Sequence, residues 1–334
     1  MIPAVFGIAG TELKPEEAAF LADHRPLGVI LFRRNVDNPD QVRRLTDAVR
    51  GALDAAGPCL WVDQEGGRVQ RLSPPHWEAL PSARRIGQAF DRDPQDGEYA
   101  AWLLGRIIAD QAAAAGFDIV CAPVLDLAQT GGHDVIGDRA FHADPEVVAL
   151  LGRAMADGLA AGGILAVSKH WPGHGRAWVD SHLELPVVET EPVLLEATDF
   201  AAFRRAADCA PIAMTAHIRY PAIDPDLPAT LSTQIVEGII RGWCGFDGFL
   251  VSDDIDMKAL DGAPGDLARA ALSAGCDAVL QCSGDFAVMT AVAEAIGGFS
   301  PAAVERWSRL SAARQAPDSV DRAQLLAELG EALV

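Results

Sequence analysis

The sequence predicts an α/β fold: a single (β/α)8 TIM barrel with additional C-terminal helices. Three observations carry that expectation. Eight short apolar segments recur along the chain, at 5–9, 28–32, 59–62, 119–123, 165–168, 212–215, 249–252 and 278–281. Most are continuous β-branched or apolar runs, the pattern of strands buried on both faces of a parallel sheet. Helical periodicity fills the intervals, and strand–helix alternation implies parallel pairing through right-handed crossovers. A doubly wound open sheet is the competing arrangement, but no G-x-G-x-x-G opens a helix after the first strand.

Taken in order, the first strong helix is 39–53, which begins after Asn38, a capping residue, and sets Val42, Leu45 and Val49 on one face. Further helices are expected at 98–115, 145–161, 192–207, 233–242, 266–274 and 285–295. The barrel is expected to occupy about residues 1–298, with two more helices within 299–334 packing outside it, as one catalytic domain over 1–334. Stretches 64–95 and 170–191 read as long irregular connections. Each follows a strand and so should lie at the carboxyl end of the barrel, where barrel enzymes place their chemistry.

Composition narrows the function. The chain has 334 residues, half of them hydrophobic and 22% charged, an ordinary globular balance. A net charge of −20 argues against nucleic acid and against anionic membrane surfaces as partners. No apolar run approaches the ~18 residues that span a bilayer. The N-terminus lacks the basic region of a signal peptide, which points to the cytoplasm. The six cysteines form no C-x-x-C pair and read as small buried hydrophobes of a reducing compartment.

Polar residues gather where strands end. Asp63, Asp126, Lys169 with His170, His217, and Asp253 with Asp254 each follow an apolar run. Several ionisable groups converging on one end of a barrel imply a polar active site rather than separate surface caps. Lys169 is one of only three lysines, with Lys14 and Lys258. The segment 168–186 also holds His170, His174 and His182, with Pro172, Gly173 and Gly175 allowing an irregular backbone. Asp180 and His182 stand two apart, so the carboxylate can accept a hydrogen bond from the imidazole and stabilise its protonated form. Zinc is the competing use of such a cluster, but the histidine spacing matches no common ligand pattern. A His-rich loop held by internal hydrogen bonds is the structural alternative. Asp253, the first residue past its strand, is best placed as a carboxylate nucleophile, with Asp254 the alternative. Asp126 could orient Lys169, and Glu65, followed by Gly66 and Gly67, reads as a turn residue.

At these residues a resemblance becomes specific. Val62-Asp-Gln-Glu-Gly-Gly-Arg-Val-Gln-Arg71, Ala122-Pro-Val-Leu-Asp126, Val135-Ile-Gly-Asp-Arg-Ala-Phe141, Lys169-His-Trp-Pro-Gly-His-Gly175, Asp180-Ser-His182 and Ser252-Asp-Asp254 resemble, in order, the motifs of the bacterial β-N-acetylhexosaminidases of glycoside hydrolase family 3. The matches span roughly residues 5–295. The resemblance implies a TIM barrel and a retaining mechanism that releases terminal N-acetylglucosamine. It implies Asp253 as nucleophile, His182 paired with Asp180 as acid/base, and sugar-binding roles for Asp63, Arg71, Arg139, Lys169 and His170. It also implies muropeptides of peptidoglycan recycling as substrates: N-acetylglucosaminyl-1,6-anhydro-N-acetylmuramic acid, with or without peptide. A monomer needing no cofactor and no metal is expected. The sequence departs from the family at Trp171, where Phe is usual, and Arg176-Ala-Trp-Val179 falls in a variable stretch.

Elementary chemistry fits these roles. A free imidazole titrates at ~6.5, and a neighbouring carboxylate favours its protonated form, so no second carboxylate with a raised pKa is needed. Related β-glucosidases take a Glu acid from a further domain, and the forty or so residues after the barrel are too few for one. A metal-dependent barrel hydrolase using the 170–182 histidines and a non-catalytic sugar-binding barrel are the alternatives from other classes.

Overall fold

The computed structural model describes the chain except for Ala56, residues 130–134, Asp180, His182 and the side chain of Ala313. The strands are β1 (Ile2–Gly7), β2 (Pro26–Leu31), β3 (Leu60–Val62), β4 (Gln64–Gly66), β5 (Val69–Gln70), β6 (Ile119–Val120), β7 (Leu165–Trp171), β8 (Ile212–Thr215), β9 (Phe249–Asp254) and β10 (Ala278–Gln281). Eight of them close a barrel in the order β1-β10-β9-β8-β7-β6-β3-β2, while β4 and β5 form a separate two-stranded ribbon. Each barrel pairing is parallel, including β1 on β10, which seals the ring. This is the (β/α)8 barrel that the alternation predicted.

The barrel interior is filled rather than hollow. Val5, Ile30, Trp61, Ile119, Val167, Ile212, Phe249, Val251 and Leu280 point inward and pack as one buried cluster. A larger apolar layer lies between the strands' outer faces and the helices. Strand side chains alternate with period two, and that rule positions the site. Inward Trp61 is followed two residues on by Asp63, Val167 by Lys169, and Val251 by Asp253.

The principal helices are α1 (Pro15–His24), α2 (Pro39–Leu53), α3 (Ala83–Arg92), α4 (Pro94–Ala114), α5 (Pro145–Ala161), α6 (Pro192–Ala197), α7 (Asp199–Arg205), α8 (Pro264–Ala274), α9 (Phe286–Ala295), α10 (Pro301–Ala313) and α11 (Arg322–Ala332). A π-wound segment, Gln234–Trp243, replaces the regular helix expected at 233–242. Asn38 caps α2 as expected, its side chain accepting from Gln41 N–H at 3.0 Å. Asp93 and Asp285 do the same for α4 and α9.

Other expectations change as well. The stretch 64–95 is not irregular throughout: it holds the β4–β5 ribbon and α3. The helix expected at 192–207 is broken at Thr198, whose hydroxyl donates to Leu194 O at 2.6 Å and bonds Asp199 Oδ2 at 2.8 Å, diverting backbone from the helix. Strands β7 and β9 run past their expected ends, so Lys169, His170, Asp253 and Asp254 lie among the last residues of their strands rather than after them. Helix α1, with Pro15 at its first position and Glu16 and Glu17 in its first turn, was not anticipated.

The tail contributes two helices, as the sequence predicted. Helix α10 closes the amino end of the barrel: Ala303 and Leu310 join the interior cluster, and Trp307 meets Phe249 with ring centroids 5.0 Å apart.

Candidate active site

At the carboxyl end of the strands lies a cavity of about 180 Å³. It is lined by Asp63, Arg71, Arg139, Lys169, His170 and Asp253, so these expected site residues share one space. Glu65, His174, Ser181 and Asp254 line it as well, with Phe32, Met214 and Met257 among its apolar walls. The remaining two, Asp180 and His182, lie outside the described residues. Ser181 between them is buried.

One wall is a charge network built around Lys169. Its ammonium lies 2.9 Å from Asp63 Oδ1 and 2.6 Å from Glu65 Oε1. Asp63 Oδ2 accepts from Arg71 Nη2 at 2.9 Å. Glu65 accepts both Nε and Nη2 of Arg139, at 2.8 and 2.9 Å, a bidentate pair. Burial alone would raise both carboxyls. Lys169 and Arg71 overcome it at Asp63 and hold that group far below the usual carboxylate range. Arg139 and Lys169 hold Glu65 at about 2. Burial likewise penalises the Lys169 ammonium, yet Asp63 and Glu65 raise its pKa instead. All three groups are therefore charged at neutral pH. Glu65 is thus more than a turn residue. The sequence showed only the Gly-Gly pair that follows it, and nothing in the spacing showed that its side chain lines the cavity.

A second network fixes the histidines. Asp126 Oδ2 lies 2.6 Å from His170 Nδ1, and its Oδ1 accepts the His174 backbone N–H at 2.5 Å. Desolvation raises the Asp126 carboxyl, but His170 outweighs it and lowers the pKa. Asp126 therefore orients His170 and the start of the following loop, not Lys169 as the sequence had suggested. The other His170 nitrogen lies 3.4 Å from Arg139 Nη2, which joins the two networks. His174 Nε2 lies 3.2 Å from Ser181 Oγ. Burial, reinforced by His170, lowers its pKa to about 4, so its ring is neutral. The peptide bonds Lys169–His170 and Trp171–Pro172 are cis.

The two carboxyls at the end of β9 are driven apart. Asp253 N–H lies 3.3 Å from Thr215 Oγ1, and Asp253 Oδ1 accepts from Asp254 N–H at 2.8 Å. Burial pushes Asp253 up, but the His217 and His170 rings, the Asp254 N–H and Lys169 pull it below the ordinary value. Asp254 is pushed up to about 7 by burial, even though its Oδ1 accepts from Asp256 N–H at 3.1 Å and Cys282 N–H at 3.0 Å. A carboxylate held ionised at neutral pH thus faces the cavity from the inward row of β9, beside a neighbour that is half protonated near neutrality. His217, at the end of β8, stands behind them with Nε2 2.9 Å from Asp254 O.

Such an arrangement can hold one polar, polyhydroxylated unit: carboxylates accept hydroxyl hydrogens, Arg and Lys donate, and an ionised Asp is free to attack. The comparisons with known proteins agree in kind. Residues 4–306 match the model of the glycosyl hydrolase family 3 N terminal domain. The chain is 45% identical to a protein of Alkalilimnicola ehrlichii named β-hexosaminidase over 285 residues, 84% of this chain and 80% of that protein. It is 42% identical to the β-hexosaminidase of Bordetella avium over 321 residues, 95% of this chain and 90% of that protein. Among solved structures, NagZ of Neisseria gonorrhoeae in complex with N-trifluoroacetyl-D-glucosamine superposes with a TM-score of 0.87 at 34% identity, covering 99% of this chain and 97% of that one. The chain belongs to glycosyl hydrolase family 3 and is a glycoside hydrolase.

Proposed function

We propose that this enzyme is a β-hexosaminidase, specifically a retaining exo-β-N-acetylglucosaminidase. The observation that carries the reading is the placement of an ionised Asp253 on the inward row of β9, across a small cavity from the Lys169–Asp63–Arg71 group. A cavity of about 180 Å³ has room for one sugar rather than a stretch of polymer. In this account an Asp253 oxygen attacks the anomeric carbon as the bond to the leaving oxygen breaks. His182, held by Asp180, gives that oxygen its proton. Water then attacks the glycosyl ester, returning a proton to His182 and freeing Asp253. Asp63, Arg71, Arg139, Lys169 and His170 bind and orient the sugar, with Glu65 fixing the two cations between which it sits.

The substrate we propose is N-acetylglucosaminyl-1,6-anhydro-N-acetylmuramic acid, with or without peptide, in cytoplasmic peptidoglycan recycling, by a monomeric enzyme. The names of the relatives and the six ordered motifs support the sugar. The test is turnover of 4-nitrophenyl N-acetyl-β-glucosaminide against the corresponding aryl β-glucoside, followed by the muropeptide disaccharide. The N-acetyl substrate should be hydrolysed with the β-anomer released first. Comparable turnover of the glucoside, or release of the α-anomer, would contradict the reading.

A further inference from the structure

A glycosidase that buries one sugar must leave the rest of its substrate outside the cavity, and the segment 173–179 reaches that cavity through His174. Trp178 on this segment is 65% exposed. Its exposure is not that of a loose loop. Gly175 lies so close to Leu127 that an added Cβ would come within 2.4 Å of Leu127 O. Arg176 Nε lies 2.6 Å from Asp199 Oδ2, and its Nη2 donates to Thr198 Oγ1 at 3.1 Å. Ala177 is buried and donates its N–H to His174 O at 3.1 Å. Three residues beyond Trp178, the Ser181 carbonyl accepts from Ala259 N–H at 3.2 Å. An anchored backbone thus leaves most of a large indole in solvent.

Trp178 also lines a second cavity, of about 430 Å³, together with Gln129, Arg176, Glu189 and Thr190. Val187 and Val188 line it too, in a stretch fixed to the segment after β8 by Val188 N–H on Arg219 O at 2.9 Å and Arg219 N–H on Pro186 O at 3.0 Å. One segment lines both cavities: His174 and Ser181 line the first, Arg176 and Trp178 the second. An aromatic face bordered by an amide, a carboxylate and a hydroxyl is the chemistry of a sugar ring, whose C–H face packs on the indole while its hydroxyls take hydrogen bonds.

The geometry points to Trp178 as the platform of a leaving-group subsite, stacking a sugar ring of the departing saccharide. This rests on the reading of the enzyme as a glycosidase of N-acetylglucosaminyl saccharides. The test compares kcat/KM for N-acetylglucosaminyl-1,6-anhydro-N-acetylmuramic acid with that for N-acetyl-β-glucosaminyl fluoride, whose leaving group is a single atom with nothing to stack. In W178A the ratio of disaccharide to fluoride should fall about three- to tenfold, the effect of one lost aromatic contact. W178F, which keeps an aromatic face, should recover most of it. A ratio equal to that of the natural enzyme in W178A, including an equal loss on both substrates, would overturn the subsite and leave the glycosidase reading standing. No turnover of either substrate by the natural enzyme would overturn that reading, and the subsite with it.

Discussion

Asp253 and Asp254 are adjacent in sequence and opposite in charge behaviour, because strand alternation gives them different surroundings. Asp253 is held ionised by His217, His170 and Lys169 against the cost of burial, whereas Asp254 meets burial and the nearby Asp256 charge. The sign of the linkage follows. Asp254 titrates at about 7 in the fold against 3.8 as the ordinary value, so between those limits the folded state holds a proton that the unfolded chain has lost. Its contribution to stability is therefore greatest in acid and is lost as pH rises from about 4 through 7. Asp254→Asn keeps an oxygen for Asp256 and Cys282 and removes the titration. The melting temperature of this variant should gain on the natural protein's as pH rises across that window and level off above it; a difference that stays flat with pH would count against the assignment. The sequence separated these two residues only by position relative to a strand end, and the choice of Asp253 rested on that and on the family resemblance. It could not show the partner of Asp126, because whether that carboxylate meets Lys169 or His170 depends on how β6 and β7 are staggered. Nor could it weigh Glu65, whose role depends on Arg139 arriving from a segment distant in sequence.

At the scale of elements, long helices with clean caps were legible, and elements defined by tertiary contact were not. Helices α2 and α5 match their expected bounds because Asn38 and Asp144 cap them and proline opens each. The 192–207 helix broke where Thr198 bonds Asp199 and Arg176, partners that periodicity does not reveal. Helix α3 escaped notice amid the polar, proline-rich stretch 64–95. Glycine spacing in α4 and α5 has a consequence of its own. An added Cβ at Gly105 would come within 2.1 Å of Met155 O, and one at Gly158 within 2.1 Å of Trp102 O, so the two helix backbones touch through their glycines. Gly158→Val should force them apart at a cost of about 1–3 kcal/mol, lowering the melting temperature by several degrees. Because both helices lie outside the barrel, kcat/KM at 25 °C should hold. Unchanged thermal stability would show that the pair can separate freely.

For the whole molecule, the apolar strands alternating with helices predicted a parallel sheet covered on both faces, and eight such units with no G-x-G-x-x-G after the first strand favoured a closed barrel over an open sheet. What the alternation did not contain is how the amino end of the barrel is stoppered. Helix α10 does this, with Trp307 against Phe249 and with Ala303 and Leu310 in the interior cluster, and Phe299, just before the helix, also meets Phe249. We therefore propose that barrel and tail form one domain over 1–334. Deleting 299–334 should expose the interior cluster, abolish a cooperative thermal transition and produce a species that binds hydrophobic dyes. A truncated chain melting as sharply as the full one would divide the domain near residue 298.

Closure also explains why groups as far apart in sequence as Asp63, Arg139, Lys169 and Asp253 share one cavity, and the central claim is that Asp253 attacks from within it. The most direct measurement is to trap the glycosyl-enzyme with 5-fluoro-N-acetyl-β-glucosaminyl fluoride, digest the protein and locate the added mass by tandem mass spectrometry. The label should sit on Asp253, and Asp253→Asn, folded but without turnover, should take up none. A label on Asp254, or labelling that persists in Asp253→Asn, would contradict the account.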